Sequence, residues 1–239
     1  MRLAASSIQL PDVWSSDDFA VQEAVVATGH PRLDAQLPGG GWPVGSLVEI
    51  LQSQPAQHAW QLLLPALSQA SRQQVGPTVL VGAPYQPFGP ALQGQGLPAE
   101  RLLWVKAEKG AARLWATEQA LRCADVVAVL AWLPQARSPE LRRLHLAAHQ
   151  HGKLLFVFRG LQSRQEASPA RLRLQVVGTL DMQVEVFKRQ GPPLQEPISL
   201  PAHPARLAAL LAARKRRTVP APPTPIRSHG LDRTLTLAG

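Results

Sequence analysis

The segment that follows the first buried strand has the order of a phosphate-binding loop but lacks the side chains that bind phosphate. Residues 49–64 read EILQSQPAQHAWQLLL, which is an apolar strand, a polar turn and a helical stretch. A working loop, GxxxxGK[ST], needs glycines that turn amides inward, a lysine for the outer phosphates and a hydroxyl for magnesium. In register, the glycine positions hold Gln52 and Gln57, the lysine position holds His58 and the hydroxyl position holds Ala59. We therefore predict no triphosphate site, no cofactor and no metal.

The elements that would position this loop alternate between strand and helix patterns. Short, continuous apolar runs are typical of strands buried on both faces of a parallel sheet. These runs are SLVEIL (46–51), TVLVGA (78–83), LLWVKA (102–107), DVVAVLA (125–131) and KLLFVFR (153–159). Helical stretches lie between them, and one places Leu141, Leu144 and Ala148 on a single face after the start signal at residues 138–140. The alternation predicts an α/β fold in which helices flank a mostly parallel central sheet.

The C-terminal part of the chain changes pattern twice. Residues 171–177 and 182–189 alternate apolar and polar side chains, which predicts an antiparallel hairpin at the C-terminal edge of the sheet. Residues 204–217 predict a short amphipathic basic helix, and a proline-rich stretch follows. We therefore predict three regions. They are an N-terminal segment with a short helix (1–27), a core (28–192), and the basic helix with a disordered tail (193–239).

The composition limits the classes of function. Lysine and arginine number 25 against 16 aspartate and glutamate, and the net charge of +9 favours nucleic acid or an acidic partner. A general excess of basic residues with no specific ligand is the alternative. No apolar run reaches the length of about eighteen residues that a membrane span requires. The single cysteine, Cys123, fits a reducing compartment, so we expect a cytoplasmic protein with no membrane association.

Residues 28–50 carry a specific family resemblance. Their sequence, TGHPRLDAQLPGGGWPVGSLVEI, resembles the segment that leads into the phosphate loop of the RecA family. The family pattern is TG-x-x-x-LD-x-x-L-x-GGG-x-P-x-GS-L-x-EI. It is matched in order by Thr28, Gly29, Leu33, Asp34, Leu37, Gly39, Gly40, Gly41, Pro43, Gly45, Ser46, Glu49 and Ile50. The resemblance implies a RecA-like ATPase core whose phosphate loop has degenerated.

The same resemblance assigns two further positions. In the RecA family a catalytic glutamate follows the strand after the phosphate-loop helix, and here that position holds Pro84. The aspartate of the second nucleotide motif falls on Leu130. Since the phosphate loop, base and metal ligand have all been replaced, the resemblance implies a RecA-like protein that does not hydrolyse ATP.

Two groups of bacterial proteins have this degenerate form, ImuA and the cell-division inhibitor SulA. The chain resembles ImuA in LPDVWSSDD near the N-terminus, GGGWP at 39–43, LLLPAL at 62–67 and VEVFKRQGPP at 184–193. The ImuA resemblance implies an accessory protein of an SOS-induced translesion DNA synthesis complex. It implies as partners an ImuB-type inactive Y-family polymerase, an error-prone DnaE-type polymerase, RecA and single-stranded DNA. The alternative is a SulA-like inhibitor that binds a tubulin-like GTPase.

Two groups of basic residues are candidates for contact with nucleic acid, because basic side chains bind phosphate. They are Arg159, Arg164, Arg171 and Arg173 around the loop before the hairpin, and Arg214, Lys215, Arg216 and Arg217 at the end of the predicted basic helix. The first group also lies in the part of the chain where RecA relatives place DNA-binding loops. The alternatives are a solvated loop for the first group and a favourable interaction with the helix dipole for the second.

Four apolar residues are candidates for partner binding. They are Trp14, in a polar N-terminal segment, and Leu207, Leu210 and Leu211, on one side of the predicted basic helix. The leucines have the spacing of helix anchors that dock into a partner's groove. Packing against the protein's own core is the alternative for all four.

Overall fold

A computed structural model describes residues 24–55, 58–178, 182–201 and 213. Compact units of the chain divide between Ala202 and His203, and all the helices and strands given below belong to the first unit. No helix among the described residues is long and apolar enough to cross a membrane.

A mixed eight-stranded sheet forms the centre of this unit, and a separate two-stranded antiparallel pair lies outside it. The small pair consists of β1 (Val25–Val26) and β2 (Trp42–Pro43). The strands of the large sheet are β3 (Leu47–Gln52), β4 (Thr78–Val81), β5 (Leu102–Val105), β6 (Ala128–Trp132), β7 (Leu154–Gly160), β8 (Leu172–Val177), β9 (Met182–Lys188) and β10 (Ile198–Leu200). Their spatial order is β10-β9-β8-β3-β7-β6-β4-β5. The six strands from β8 to β5 are parallel, whereas β9 and β10 are antiparallel to their neighbours. This architecture confirms the predicted α/β class.

Helices cover both faces of the sheet. The helices are α1 (Pro31–Asp34), α2 (Ala59–Gln73), α3 (Gly89–Gln93), α4 (Gly110–Arg122) and α5 (Ser138–His151), with short 3₁₀ turns at Pro38–Gly40, Ala99–Arg101 and Leu161–Gln165. The apolar face of α2 packs into one buried cluster with Ile50 and Phe156. The faces of α4 and α5 pack into a second cluster with Leu47 and Leu155 on the opposite side of the sheet. Burial from both sides explains why the parallel strands read as continuous apolar runs.

The helix after the degenerate loop contains a proline that is accommodated by the N-terminal motif. Pro65 lies within α2, and because proline has no N–H it leaves the Gln61 carbonyl without its usual helical donor. The His30 ring nitrogen Nε2 lies 3.1 Å from that oxygen. Gly29, with φ of 79°, passes so close to the Pro65 ring that an added Cβ would lie 2.3 Å from the Pro65 Cβ. The motif therefore packs on the helix through both a hydrogen bond and close backbone contact.

Two short strands of the first unit lie outside residues 28–192. At the N-terminal side, β1 precedes residue 28 and pairs with β2. At the C-terminal side, β10 pairs with the outer edge of β9. The edge strand on this side of the sheet is therefore β10, next to the predicted hairpin. A three-residue strand next to prolines is too short for an alternating pattern, which explains why the sequence did not predict it.

Candidate functional site at the carboxyl ends of the parallel strands

A cavity of about 590 Å³ lies where the carboxyl ends of five parallel strands meet. One wall is the start of the degenerate loop, at Gln52, Ser53 and Pro55. The remaining walls come from the residues that end or follow β4, β5, β6 and β7, together with the first turn of α4. Ligands of α/β proteins bind in the crevice outside the carboxyl ends of the strands. The degenerate loop therefore still borders a ligand-sized cavity.

The loop itself is held in a form unlike a phosphate cradle. Gln52 is a buried strand residue paired in register with Gly160 and Val176. His58 has φ of 54° and is the one non-glycine residue with positive φ in the described part of the chain. Its Nε2 atom lies 2.8 Å from the Gly178 carbonyl oxygen. The side chain at the lysine position is therefore engaged by the turn after β8.

The other positions of the nucleotide site have different surroundings. Ala59 is buried as the first residue of α2 and packs in the apolar core. Leu130 is buried at the middle of β6, two residues before that strand ends at Trp132. Pro84 lines the cavity and is exposed. Gln57 lies outside the described residues. The absence of nucleotide hydrolysis stays a prediction, to which this arrangement adds support.

Arg113, in the first turn of α4, lines the cavity and is bonded to the ends of neighbouring segments. Its Nε donates to the Ala107 carbonyl at 2.7 Å, and Nη1 donates to the Trp132 carbonyl at 3.2 Å. Gly82, with φ of 62°, makes room for this side chain, because an added Cβ would lie 2.7 Å from the Arg113 Nε. The guanidinium is therefore fixed by two carbonyl oxygens.

Aromatic side chains supply the apolar surface of the same cavity. Trp132 stacks on Phe158, with ring centroids 4.4 Å apart and an interplanar angle of 14°. The ammonium of Lys106 lies 4.6 Å from the centre of the Trp104 ring, within the range of a cation–π contact. The cavity thus combines stacked aromatic walls with basic groups.

Two of the arginines predicted to contact DNA are buried in the interior. Arg159 is 4% exposed and Arg173 is 6% exposed. Both donate to Glu49, which is fully buried. Arg159 Nη1 lies 3.0 Å from Oε1 and Arg173 Nε lies 2.6 Å from Oε2. A second carboxylate, Glu166, accepts from Arg159 at 2.6 Å. Because both guanidinium groups are engaged inside the protein, DNA contact by them would require this cluster to open.

The other two arginines of that group are closer to the surface. Arg164 forms two bonds with Glu185, at 2.8 and 2.5 Å, and its guanidinium lies 4.8 Å from the centre of the Phe187 ring. This pair lowers the pKa of Glu185 and raises that of Arg164. Arg171 is exposed, one residue before β8. DNA contact by these two residues stays a prediction.

The remaining predicted site residues lie outside the described residues. They are Trp14, Leu207, Leu210, Leu211, Arg214, Lys215, Arg216 and Arg217.

The ion cluster around Glu49 is a feature that the sequence reading missed. In the sequence, Glu49 was identified only as a match to the family pattern, and Arg159 and Arg173 were predicted to contact nucleic acid. One signal was present, since Glu49 interrupts an otherwise apolar strand run. Charges on strands that are buried on both faces require partners on neighbouring strands.

Comparisons with known proteins point to two groups. A family model described as cell division inhibitor SulA matches residues 45–155, from the turn before β3 to the start of β7. Two curated proteins named Protein ImuA, from Caulobacter vibrioides strains NA1000 / CB15N and ATCC 19089 / CIP 103742 / CB 15, are each 32% identical to the chain over 135 residues. The chain is similar to these two ImuA proteins. Each alignment covers 54% of the chain and 54% of the relative, so the chain spans about half the length of the curated relatives it matches.

The SulA match covers less than half of the chain. It includes the strands from β3 to β6 and the helices between them, but it ends before the hairpin of β8 and β9. The match therefore covers four of the six parallel strands of the sheet in full. It leaves out Arg159 and Arg173, which complete the buried ion cluster.

Proposed function

We propose that this protein belongs to the ImuA family and is a non-catalytic accessory protein of an SOS-induced translesion DNA synthesis complex. In this role it acts as an adaptor for an ImuB-type inactive Y-family polymerase and an error-prone DnaE-type polymerase, with RecA and single-stranded DNA as further partners. The likeness to the two ImuA proteins carries the proposal. A cytoplasmic location is part of it and is supported by the single cysteine.

The degenerate loop supports a role without ATP turnover. The four positions that would hold phosphate and magnesium are occupied by two glutamines, a histidine and an alanine. His58 is bonded to the Gly178 carbonyl, and Ala59 offers no oxygen for a metal. We expect no ATP hydrolysis above background by the purified protein, with or without single-stranded DNA. ATP turnover that is lost in a His58→Ala variant would contradict this part of the proposal.

The adaptor role is tested by comparing the full chain with residues 1–202, the first compact unit. Each form is titrated with an ImuB-type protein and with RecA by calorimetry, after circular dichroism has shown that both forms are folded. We expect the full chain to bind the ImuB-type protein and the shortened form to lose most of that affinity, because the proposed anchors Leu207, Leu210 and Leu211 are removed. Equal binding by both forms would place the contact on the core or near Trp14.

A SulA-like inhibitor is the second candidate, and the family-model match over residues 45–155 favours it. This function predicts binding to a tubulin-like GTPase, arrest of division on overproduction, and no affinity for DNA. Co-precipitation from cells with damaged DNA separates the two candidates. Recovery of a Y-family polymerase relative supports the first, whereas recovery of the GTPase supports the second.

A further inference from the structure

We propose that the cavity at the carboxyl ends of the parallel strands binds an apolar group that carries one carboxylate, such as an aromatic or aliphatic organic acid. The proposal concerns a ligand site on the core and does not depend on the adaptor role. It assigns a different ligand class to the crevice that the degenerate phosphate loop borders.

The size and walls of the cavity suit an apolar ligand body. Its volume of about 590 Å³ lies within the range of roughly 300–1,000 Å³ found for sites that bind drug-sized molecules. Aromatic side chains from β5, β6 and β7 line it, namely Trp104, Trp132 and Phe158. The prolines Pro55, Pro84 and Pro134 complete the apolar surface without adding side-chain polar groups. A flat or branched apolar group would therefore replace water against these walls.

The charges of the cavity favour a ligand with a single negative charge. Lys106 and Arg113 are basic, and neither forms an ion pair with a carboxylate among the described residues. Glu108 is the acidic residue of the lining, and Arg159 is already neutralised by Glu49 and Glu166. The positive charges of Lys106 and Arg113, less the negative charge of Glu108, leave one unit of positive charge for a ligand. A phosphate dianion matches this balance less well and would also lack the amide cradle of a working loop.

Arg113 is positioned in advance for such a contact. Its Nε and Nη1 atoms are bonded to the carbonyl oxygens of Ala107 and Trp132, which fixes the plane of the guanidinium. The close approach of Gly82 keeps the side chain against the cavity wall. The buried arginines of the core, Arg159 and Arg173, are satisfied by carboxylates, whereas Arg113 is satisfied by neutral carbonyl groups only. A carboxylate supplied by a ligand would give it the partner that the core arginines have, through a charge-assisted hydrogen bond.

The test uses the full chain and a matched pair of probes, N-acetylphenylalanine and its neutral carboxamide. Both probes have the same aromatic body, and only the first carries a carboxylate. Binding is followed in ¹⁵N–¹H NMR spectra by the indole N–H signals of Trp104 and Trp132, assigned with phenylalanine variants. Trp42 and Trp115 do not line the cavity and serve as internal controls. We expect the carboxylate probe to shift the first two signals and to bind about tenfold more tightly than the carboxamide.

Two charge variants locate the carboxylate. Lys106→Gln changes an exposed residue and is expected to preserve the fold, while Arg113→Gln removes the fixed guanidinium. We expect each to weaken binding of the carboxylate probe by about threefold to tenfold and to leave carboxamide binding unchanged. Lys109→Gln removes the same charge at a nearby exposed position outside the lining and should have little effect.

Several outcomes would overturn the proposal. They are equal affinity for the two probes, shifts at Trp42 or Trp115 without shifts at Trp104 and Trp132, and equal loss of affinity in Lys106→Gln and Lys109→Gln. Tighter binding of ATP than of the carboxylate probe at the same indole signals would show that the site takes phosphate. Absence of binding by the carboxylate probe at millimolar concentration would also overturn it, and the lysine variants keep the test valid if Arg113→Gln does not fold.

Discussion

At the scale of single residues, the molecule is held by side chains whose roles depend on partners far away in the chain. Glu49 receives bonds from residues 110 and 124 positions later, on β7 and on β8. Gly29 contacts the ring of Pro65. Each contact requires one residue type, so a single substitution at either site is expected to lower the stability of the folded protein.

The first prediction concerns the buried ion cluster. Glu49→Gln leaves Arg159 and Arg173 without the carboxylate between them, and we expect the free energy of unfolding to fall by about 3–5 kcal/mol. Glu185→Gln, which breaks the half-exposed pair with Arg164, should cost about 1 kcal/mol or less. Denaturant unfolding measures both. Equal costs for the two variants would show that Glu49 does not hold the two strands together.

The second prediction concerns the glycine of the N-terminal motif. Gly29→Ala places a methyl group against Pro65 and holds a side chain at φ of 79°. We expect a loss of about 2–4 kcal/mol from overpacking and backbone strain together. Gly110→Ala is the control, because nothing lies within 4 Å of its added Cβ at the start of α4. A thermal midpoint lowered equally by both substitutions would contradict the packing of Gly29 on α2.

At the scale of elements, hydrogen bonds from histidines attach helices to their neighbours. His30 bonds to the carbonyl that Pro65 leaves free in α2. His145, on α5, accepts a hydrogen bond from the Leu47 amide at the first residue of β3. His30 is buried and His145 is partly buried, and burial lowers the pKa of each ring. The contributions of both histidines to stability therefore depend on pH, and that of His30 depends also on the proline in α2.

The third prediction is a coupling between His30 and Pro65. His30→Leu removes the donor to the Gln61 carbonyl, and we expect it to cost about 1–3 kcal/mol. In a Pro65→Ala background the cost should be smaller, because the amide of residue 65 can then donate to the same carbonyl. A double-mutant cycle by denaturant unfolding measures the coupling. Strictly additive costs would show that the ring does not replace the missing helical bond.

The fourth prediction concerns pH and the contact of α5 with β3. Burial, the nearby His149 and Lys188 lower the pKa of His145 below its usual 6.5. Below pH 6.5 the unfolded chain therefore takes up a proton before the folded one does, and the free energy of unfolding falls until the lowered pKa is passed. Protonation at Nδ1 would also remove the bond from Leu47.

This pH dependence is measured by thermal unfolding between about pH 5 and pH 8. His145→Gln should flatten the fall in stability without abolishing it, because the pKa of His30 is lowered as well. His151→Gln, at the exposed end of α5, serves as the control. An unchanged slope in His145→Gln would contradict the assignment.

At the scale of the whole molecule, basic charge is divided between the sheet and the C-terminal region. In the core, the arginines near the hairpin are neutralised by Glu49, Glu166 and Glu185. The run Arg214–Arg217 follows the core in sequence. Because cations that are already paired release fewer counterions on binding, Arg159, Arg164 and Arg173 are weak candidates for contact with single-stranded DNA, and contact by the C-terminal run stays a prediction.

The fifth prediction tests this division. Changing residues 214–217 to glutamine in the full chain should weaken binding to single-stranded DNA and reduce the slope of log affinity against log salt by about 3, for four phosphate contacts at about 0.7 each. Arg171→Gln should reduce it by about 0.7 or less. Fluorescence anisotropy at several salt concentrations measures both slopes. A slope that is unchanged by the four C-terminal substitutions would exclude these cations from the DNA contact.

The fold was largely predictable because it depends on local patterns. The five apolar runs became β3 to β7, and the spacing after Ser138 became α5, with Leu141, Leu144 and Ala148 buried as predicted. The short strands β1 and β10 lie outside residues 28–192, and their patterns were too short to be recognised in the sequence. Leu130 was expected at the end of a strand and lies at the middle of β6. Periodicity identifies an element more reliably than its ends, since end residues are fixed by pairing with distant strands.

The amino-acid sequence by itself determined the α/β class, the strand–helix order and the replacement of every phosphate-loop side chain, since these follow from residue type and local spacing. Only the tertiary structure decided which charges meet. It placed Arg159 and Arg173 on the same buried carboxylate, engaged His58 with Gly178, and joined five strand ends around one cavity. The physical reason is that the energy of a charge depends on its burial and its partners. Strand order in the sheet sets both, and that order cannot be read along the chain.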